Sequence, residues 1–165
     1  TMRRKRDELK NCRRKEMIGF RRIDPEVAME KNTWFHLGRN SCEEILYCLR
    51  RIADPCEEHV DNNFVPLSKE QVKEYIPLRD TVLFLLRRTE KILQTDSYDE
   101  VDEVRREAEE LKDCLEKARE AQMQRMQSSK ENIAVAYLYL NLLQETRELT
   151  SSLRHLLRAS KGFRE

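Results

Sequence analysis

Residues 134–163, AVAYLYLNLLQETRELTSSLRHLLRASKGF, run for thirty positions with no proline and with no glycine before Gly162. Apolar residues recur through the stretch at helical spacing, and a helix of that length extends about 45 Å. Its apolar stripe has to be covered from end to end, which calls for other long helices alongside it. Two polar residues interrupt the stripe. Asn141 and Glu145 stand at i and i+4, so one helix face carries both. They make either a buried polar contact or a ligand site. A basic end follows, with Arg154, His155, Arg158 and Lys161.

Composition supports the same architecture. Three glycines and four prolines in 165 residues, with 38% charged side chains, describe long helices and not a turn-rich sheet protein. The length suits one domain with a sizeable core. The 39% hydrophobic fraction is enough for amphipathic stripes. No apolar run approaches the roughly 18 residues of a membrane span, and nothing resembles a secretory signal. The chain opens Thr-Met, which reads as a piece of something longer.

Asp24-Pro25 starts the first helix, a capping carboxylate followed by proline at the first helical position. Phe35, Gly38, Cys42, Ile45, Leu49, Ile52, Cys56 and Val60 then alternate in steps of three and four, and Pro55 predicts a kink or break. Asp61-Asn62-Asn63 ends this helix. Ser68 with Gln71 forms a capping box for a second helix carrying Val72, Ile76, Leu78, Val82, Leu85, Leu86, Ile92 and Leu93, with Pro77 as a kink or restart. Ser97 with Glu100 is a second capping box. It opens a third helix with a seam of Val101, Val104, Ala108, Leu111, Leu115 and Ala118. After a turn at 127–129, the last helix is expected from about Lys130 to Lys161, with Gly162 as its stop. Short connections make neighbours antiparallel. The expected fold is all-α, an elongated antiparallel bundle of four long helices over 24–165, preceded by a basic helical arm over 1–23.

The net charge of +1 conceals an uneven distribution: residues 1–23 carry +7 and residues 24–165 carry −6. Such an arm is a solvated helix, a neighbour of an anionic membrane leaflet, or a nucleic-acid contact. Five cysteines, an odd number without a C-x-x-C pair, argue against a disulfide framework and a zinc knuckle and predict a reducing compartment.

Catalytic patterns are missing. Di-iron bundles use Glu-x-x-His on two helices, yet Thr33, Cys56 and Ser152 stand three residues before His36, His59 and His155. There is no Gly-rich phosphate loop, H-E-x-x-H or G-x-S-x-G. His155 with Arg158 lacks the surroundings of a phosphotransfer histidine, because Leu153, Leu156 and Leu157 flank it. The acidic run Asp96, Asp99, Glu100, Asp102 and Glu103 either complements the dipole of the third helix or offers a hard-cation site. Glu145, on the flank of the buried stripe, needs a partner if it points inward: an arginine or a metal. Trp34-Phe35 and Tyr137-x-Tyr139 are core or interface aromatics.

The segments Tyr139–Leu149 (YLNLLQETREL) and Leu153–Ala159 (LRHLLRA), with the Tyr98–Val104 opening of the third helix (YDEVDEV), carry a family resemblance. Over about residues 30–163 the chain resembles the PhoU-like domain at the cytoplasmic C-terminus of bacterial sodium/phosphate cotransporter-family proteins. The resemblance implies a phosphate-linked regulatory role and cation ligands at Asn141 and Glu145 on the last helix. On the third helix it implies Asp99 with Glu103, or Tyr98 with Asp102. Asn141 and Tyr98 stand where that family has carboxylates, so at most one weak divalent or iron cation is implied, and no multinuclear cluster. The basic arm then lies just after a membrane domain, on the inner side where Lys and Arg are in excess.

The expectation is a non-enzymatic accessory domain of a sodium-dependent phosphate transport protein. It would lie on the cytoplasmic side of the inner membrane and act through helix-face contacts with the membrane domain or a second copy, not with nucleic acid. A free-standing PhoU-like regulator of phosphate uptake is the alternative. A homodimeric scaffold bundle joined through its aromatic face, with no phosphate role, is the alternative of another class.

Overall fold

A computed structural model describes residues 4, 5, 7, 8, 24–128 and 131–165, and four long helices form the bundle among these described residues. They are α1, Pro25–Asp61; α2, Lys69–Thr95; α3, Val101–Ser128; and α4, Ile133–Arg164. No strand occurs among the described residues. Most of the basic arm expected over 1–23 lies outside them.

Local chemistry fixes most of the boundaries. Asp24 Oδ1 accepts the amide of Glu26 at 3.0 Å, and Pro25 follows as the first residue of α1. At α2 the expected box forms in full: Gln71 N–H donates to Ser68 Oγ at 3.1 Å, and Ser68 N–H donates to Gln71 Oε1 at 2.9 Å. The box expected at α3 does not form. Ser97 Oγ donates to Asp99 at 3.3 Å, and Arg88 from α2 takes the Glu100 carboxylate at 3.2 Å. A charged partner on the neighbouring helix outcompetes a local amide there. α4 opens at Ile133, later than expected, with Asn132 Oδ1 accepting the amide of Val135 at 3.2 Å.

The far end of α4 brings another correction. The helix runs through Gly162 to Arg164, and Gly162 has no positive φ. A Cβ at this position would lie 2.6 Å from Trp34 Cε2 and 2.7 Å from Cδ2. Glycine is therefore there to let the indole of α1 lie on the backbone of α4, not to stop a helix. Pro55 and Pro77 likewise sit inside continuous helices and break neither.

Cross-helix pairs give the register. Gly38 opposes Ala159 and Leu156, while Arg51 opposes Asn141 and Glu145, so α1 and α4 are antiparallel. Glu116 with Arg147 and Asp102 with Lys161 set α3 antiparallel to α4. Gln71 with Gln122 and Arg88 with Glu107 do the same for α2 and α3. The core lies between α2, α3 and α4, around Leu85, Leu111, Leu115, Leu143, Leu153 and Leu157. α1 packs closely on α4, and its backbone nowhere approaches α2 or α3 to the same degree. Its stripe is accordingly shallow: Cys48 is fully buried, Ile45, Leu49 and Ile52 are half-buried, and Val60 is 73% exposed. The α1–α2 connection thus joins helices that do not adjoin. Its fold is held by His59, which hydrogen-bonds the Val65 carbonyl through Nε2 at 2.7 Å and meets the Phe64 ring edge-on.

Between α1 and α2 an open groove of about 600 Å³ remains, lined chiefly by Cys42, Ile45 and Leu46 of α1, Leu86 and Leu93 of α2, and Leu153 of α4. Among the described residues, no helix is long and apolar enough to cross a membrane.

Candidate functional site

The interrupted stripe of α4 meets α1 at Arg51. Arg51 Nε donates to Glu145 Oε2 at 2.7 Å, and its Nη2 donates to Glu44 at 2.7 Å. Those two carboxylates hold the guanidinium charged, raising its pKa above the ordinary arginine value, with the Glu145 hydrogen bond the largest cause. Asn141 Nδ2 donates to the backbone carbonyl of Arg51 at 3.0 Å. That carbonyl is the one that the amide of residue 55 would take in an unbroken ladder, and residue 55 is proline. Two irregularities in different parts of the sequence thus resolve each other. Asn141 supplies the donor that Pro55 lacks, and Glu145, one turn on, neutralises the same residue's side chain. The partner that Glu145 requires is the arginine.

Cys48, one turn before Arg51 and Ile52, is fully buried beside this cluster. Its Sγ donates to Glu44 Oε1 at 3.7 Å. Burial, with smaller contributions from Glu44 and Glu145 and against the pull of Arg51, pushes the thiol up to about 12. A thiol held protonated in this way is no nucleophile.

The acidic opening of α3 closes on Arg88 of α2. Glu100, Glu103 and Glu107 bond this guanidinium at 3.2, 2.9 and 2.8 Å. Asp99 accepts from Ser97, and Asp102 is paired loosely with Arg105 at 3.5 Å and Lys161 at 3.9 Å. Asp96 ends α2 in the left-handed region, at φ 51°, and pairs with Arg164 at 3.0 Å. Asp99, Asp102 and Glu103 therefore lie at the level of Lys161, sixteen residues beyond Glu145 on α4, or about 24 Å along the bundle. The structure does not bring them to Asn141 and Glu145. Among the described residues no group of three or more His, Cys, Asp or Glu side chains is placed to hold a metal ion.

A third cluster escaped the sequence reading. Gln71 and Gln122, both fully buried, meet at 3.2 Å, and their amides donate to the two oxygens of Glu131 at 2.8 and 2.7 Å. Arg125 donates to Gln122 Oε1 and, at 2.9 Å, to Glu74. Glu74 also receives the hydroxyl of Tyr139 at 2.6 Å. Burial, then the Glu74 carboxylate, raise the Tyr139 phenol far above its ordinary value. Tyr75 meets Tyr139 edge-on and shares a hydrogen bond with Thr146 at 2.8 Å. Gln122 falls four residues after Ala118 on the α3 seam, and that spacing is the signal that could have revealed it. Tyr137, two residues from the buried Tyr139, is 63% exposed, so the pair forms no shared aromatic face.

These clusters have one chemistry in common. Each carboxylate that reaches the interior ends on a guanidinium, an amide or a phenol, an arrangement that fixes helix register. No family model matches the chain, and comparison with curated proteins and with solved structures finds no match in either.

Proposed function

We propose that this chain is a non-catalytic regulatory or accessory domain of a sodium-dependent phosphate transport protein, on the cytoplasmic side of the membrane. The phosphate link rests on the resemblance of residues 139–149 and 153–159 to the PhoU-like domain, and those residues form the middle and later turns of α4. The observation that carries the regulatory part is the attachment of α1, which packs closely on α4 alone while α2, α3 and α4 enclose the core. A helix held along one neighbour can exchange partners without dissolving the core. Contact that differs between two transporter states would then shift the balance between them.

Phosphate uptake by cells expressing the whole protein, with and without residues 24–165, tests the reading; equal uptake defeats it. The residues encoded upstream of Thr1 separate a transporter tail from a free-standing regulator, because the tail requires apolar stretches of about 20 residues there.

A further inference from the structure

The groove between α1 and α2 leaves apolar side chains of three helices facing an open channel. Thr89, on its α2 wall, is 3% exposed, and its Oγ1 has no hydrogen-bond partner among the described residues. A buried hydroxyl beside an uncovered apolar channel marks a surface built to be covered. Two residues from far away in sequence already stand at this channel: Lys5 and Glu8 line it together with Cys42, Leu46, Leu86 and Glu90. Residues 4, 5, 7 and 8 are helical, with Glu8 bonded to Arg4 at 3.1 Å and Lys5 at 3.3 Å.

We propose that the groove between α1 and α2 is the docking surface for this chain's own basic N-terminal segment, which enters it at Lys5 and Glu8. Chain length fits this occupant. Glu8 is sixteen residues before the Asp24 cap, and Cys42 is eighteen residues after it. Sixteen residues of chain span up to about 53 Å when extended, and Cys42 lies about 27 Å along α1 at the rise of a helix, so the segment is long enough to bring Glu8 to Cys42. Charge fits as well, since a segment of +7 meets a body of −6 that presents Glu90 on the rim. The inference stands without the transport reading.

The full-length chain tests it in two ways. In a Cys12→Ser background, Glu8→Cys should form a disulfide with native Cys42 within one molecule under copper–phenanthroline oxidation. The yield, from peptide mass spectrometry, should exceed that with Cys114 on α3 by at least about tenfold, because Cys42 lines the same groove as residue 8 and Cys114 does not. In the unmodified chain, amides of residues 4–8 should exchange with deuterium at least about tenfold more slowly than in a free peptide of the same sequence. Equal cross-linking to Cys42 and Cys114, bonds formed only between two copies, or free-peptide exchange over residues 4–8 would each overturn the proposal. Phosphate uptake plays no part in either measurement, so failure here is distinct from failure of the functional reading.

Discussion

α1 and α4 are the two longest helices, and both carry an apolar stripe at helical spacing, yet they are buried to very different depths. α4 has fourteen buried residues in 32, and α1 has three in 37. The difference lies in the number of neighbours. Among the described residues, α4 is packed against all three of the other long helices, whereas α1 closely approaches only one of them. Periodicity reports which side of a helix faces inward; how far inward depends on how many other helices cover that side. Full burial of a leucine is worth about 1.5–3 kcal/mol, so most of the stability of this fold resides in the α2–α3–α4 core.

The widest gap between the two helices should show in core truncation. Leu157→Ala on α4 should cost about 2–5 kcal/mol in chemical denaturation, and Leu49→Ala on α1 about 1 kcal/mol. Comparable losses would erase the distinction between core and peripheral helix. The contact between the two helices can be probed at its glycines. Gly162→Ala forces a methyl into the Trp34 ring and should destabilise by about 1–2 kcal/mol despite the better helix propensity of alanine. Gly38→Ala meets the Ala159 methyl at 3.6 Å and Leu156 Cδ1 at 4.0 Å, both ordinary van der Waals contacts. It should stabilise by about 0.5–1 kcal/mol. Opposite signs in these otherwise identical substitutions would show that one close approach, and not helix propensity, decides the outcome.

A smaller effect separates the roles of Asn141 and Glu145. Asn141→Ala should cost about 1 kcal/mol by stranding the Arg51 carbonyl, and in a Pro55→Ala background most of that loss should vanish because the helix supplies its own amide. Equal losses in both backgrounds would refute the pairing of Asn141 with Pro55. The smallest effect at neutral pH comes from Cys48. Its thiol stays protonated up to about 12 in the fold, while the unfolded chain ionises near 9.0. Above pH 9 the unfolded state binds fewer protons than the native state, so stability falls as pH rises through that window. Cys48→Ala should flatten that part of the decline, as measured by denaturation at pH 8 and pH 10. Native Cys114, exposed on α3, should react with maleimide long before Cys48 does.

Helix number and most boundaries were readable because caps and spacing are local. The Asp24-Pro25 start, the Ser68–Gln71 box and the α3 seam from Val101 to Ala118 all appear as expected. The misreadings arose where a partner far away in sequence decides. Glu100 belongs to Arg88, so the box with Ser97 gives way. Gly162 answers to Trp34, more than a hundred residues earlier, and so looks like a stop when viewed alone. At the candidate site the polar face of Asn141 and Glu145 was visible, but its use was not: the donor deficit it meets is created by Pro55 on another helix. The Gln71–Gln122–Glu131 network was hidden for the same reason, since one glutamine already had a local role as a cap.

Trp34 is the single tryptophan of the chain, and it rests on the backbone of α4 at Gly162. Its fluorescence is therefore an intrinsic gauge of whether the outer helix is seated, separate from circular dichroism, which averages over the whole bundle. A change in emission preceding the loss of ellipticity on heating would show α1 leaving first, and would give any search for a binding partner an optical signal that needs no added dye.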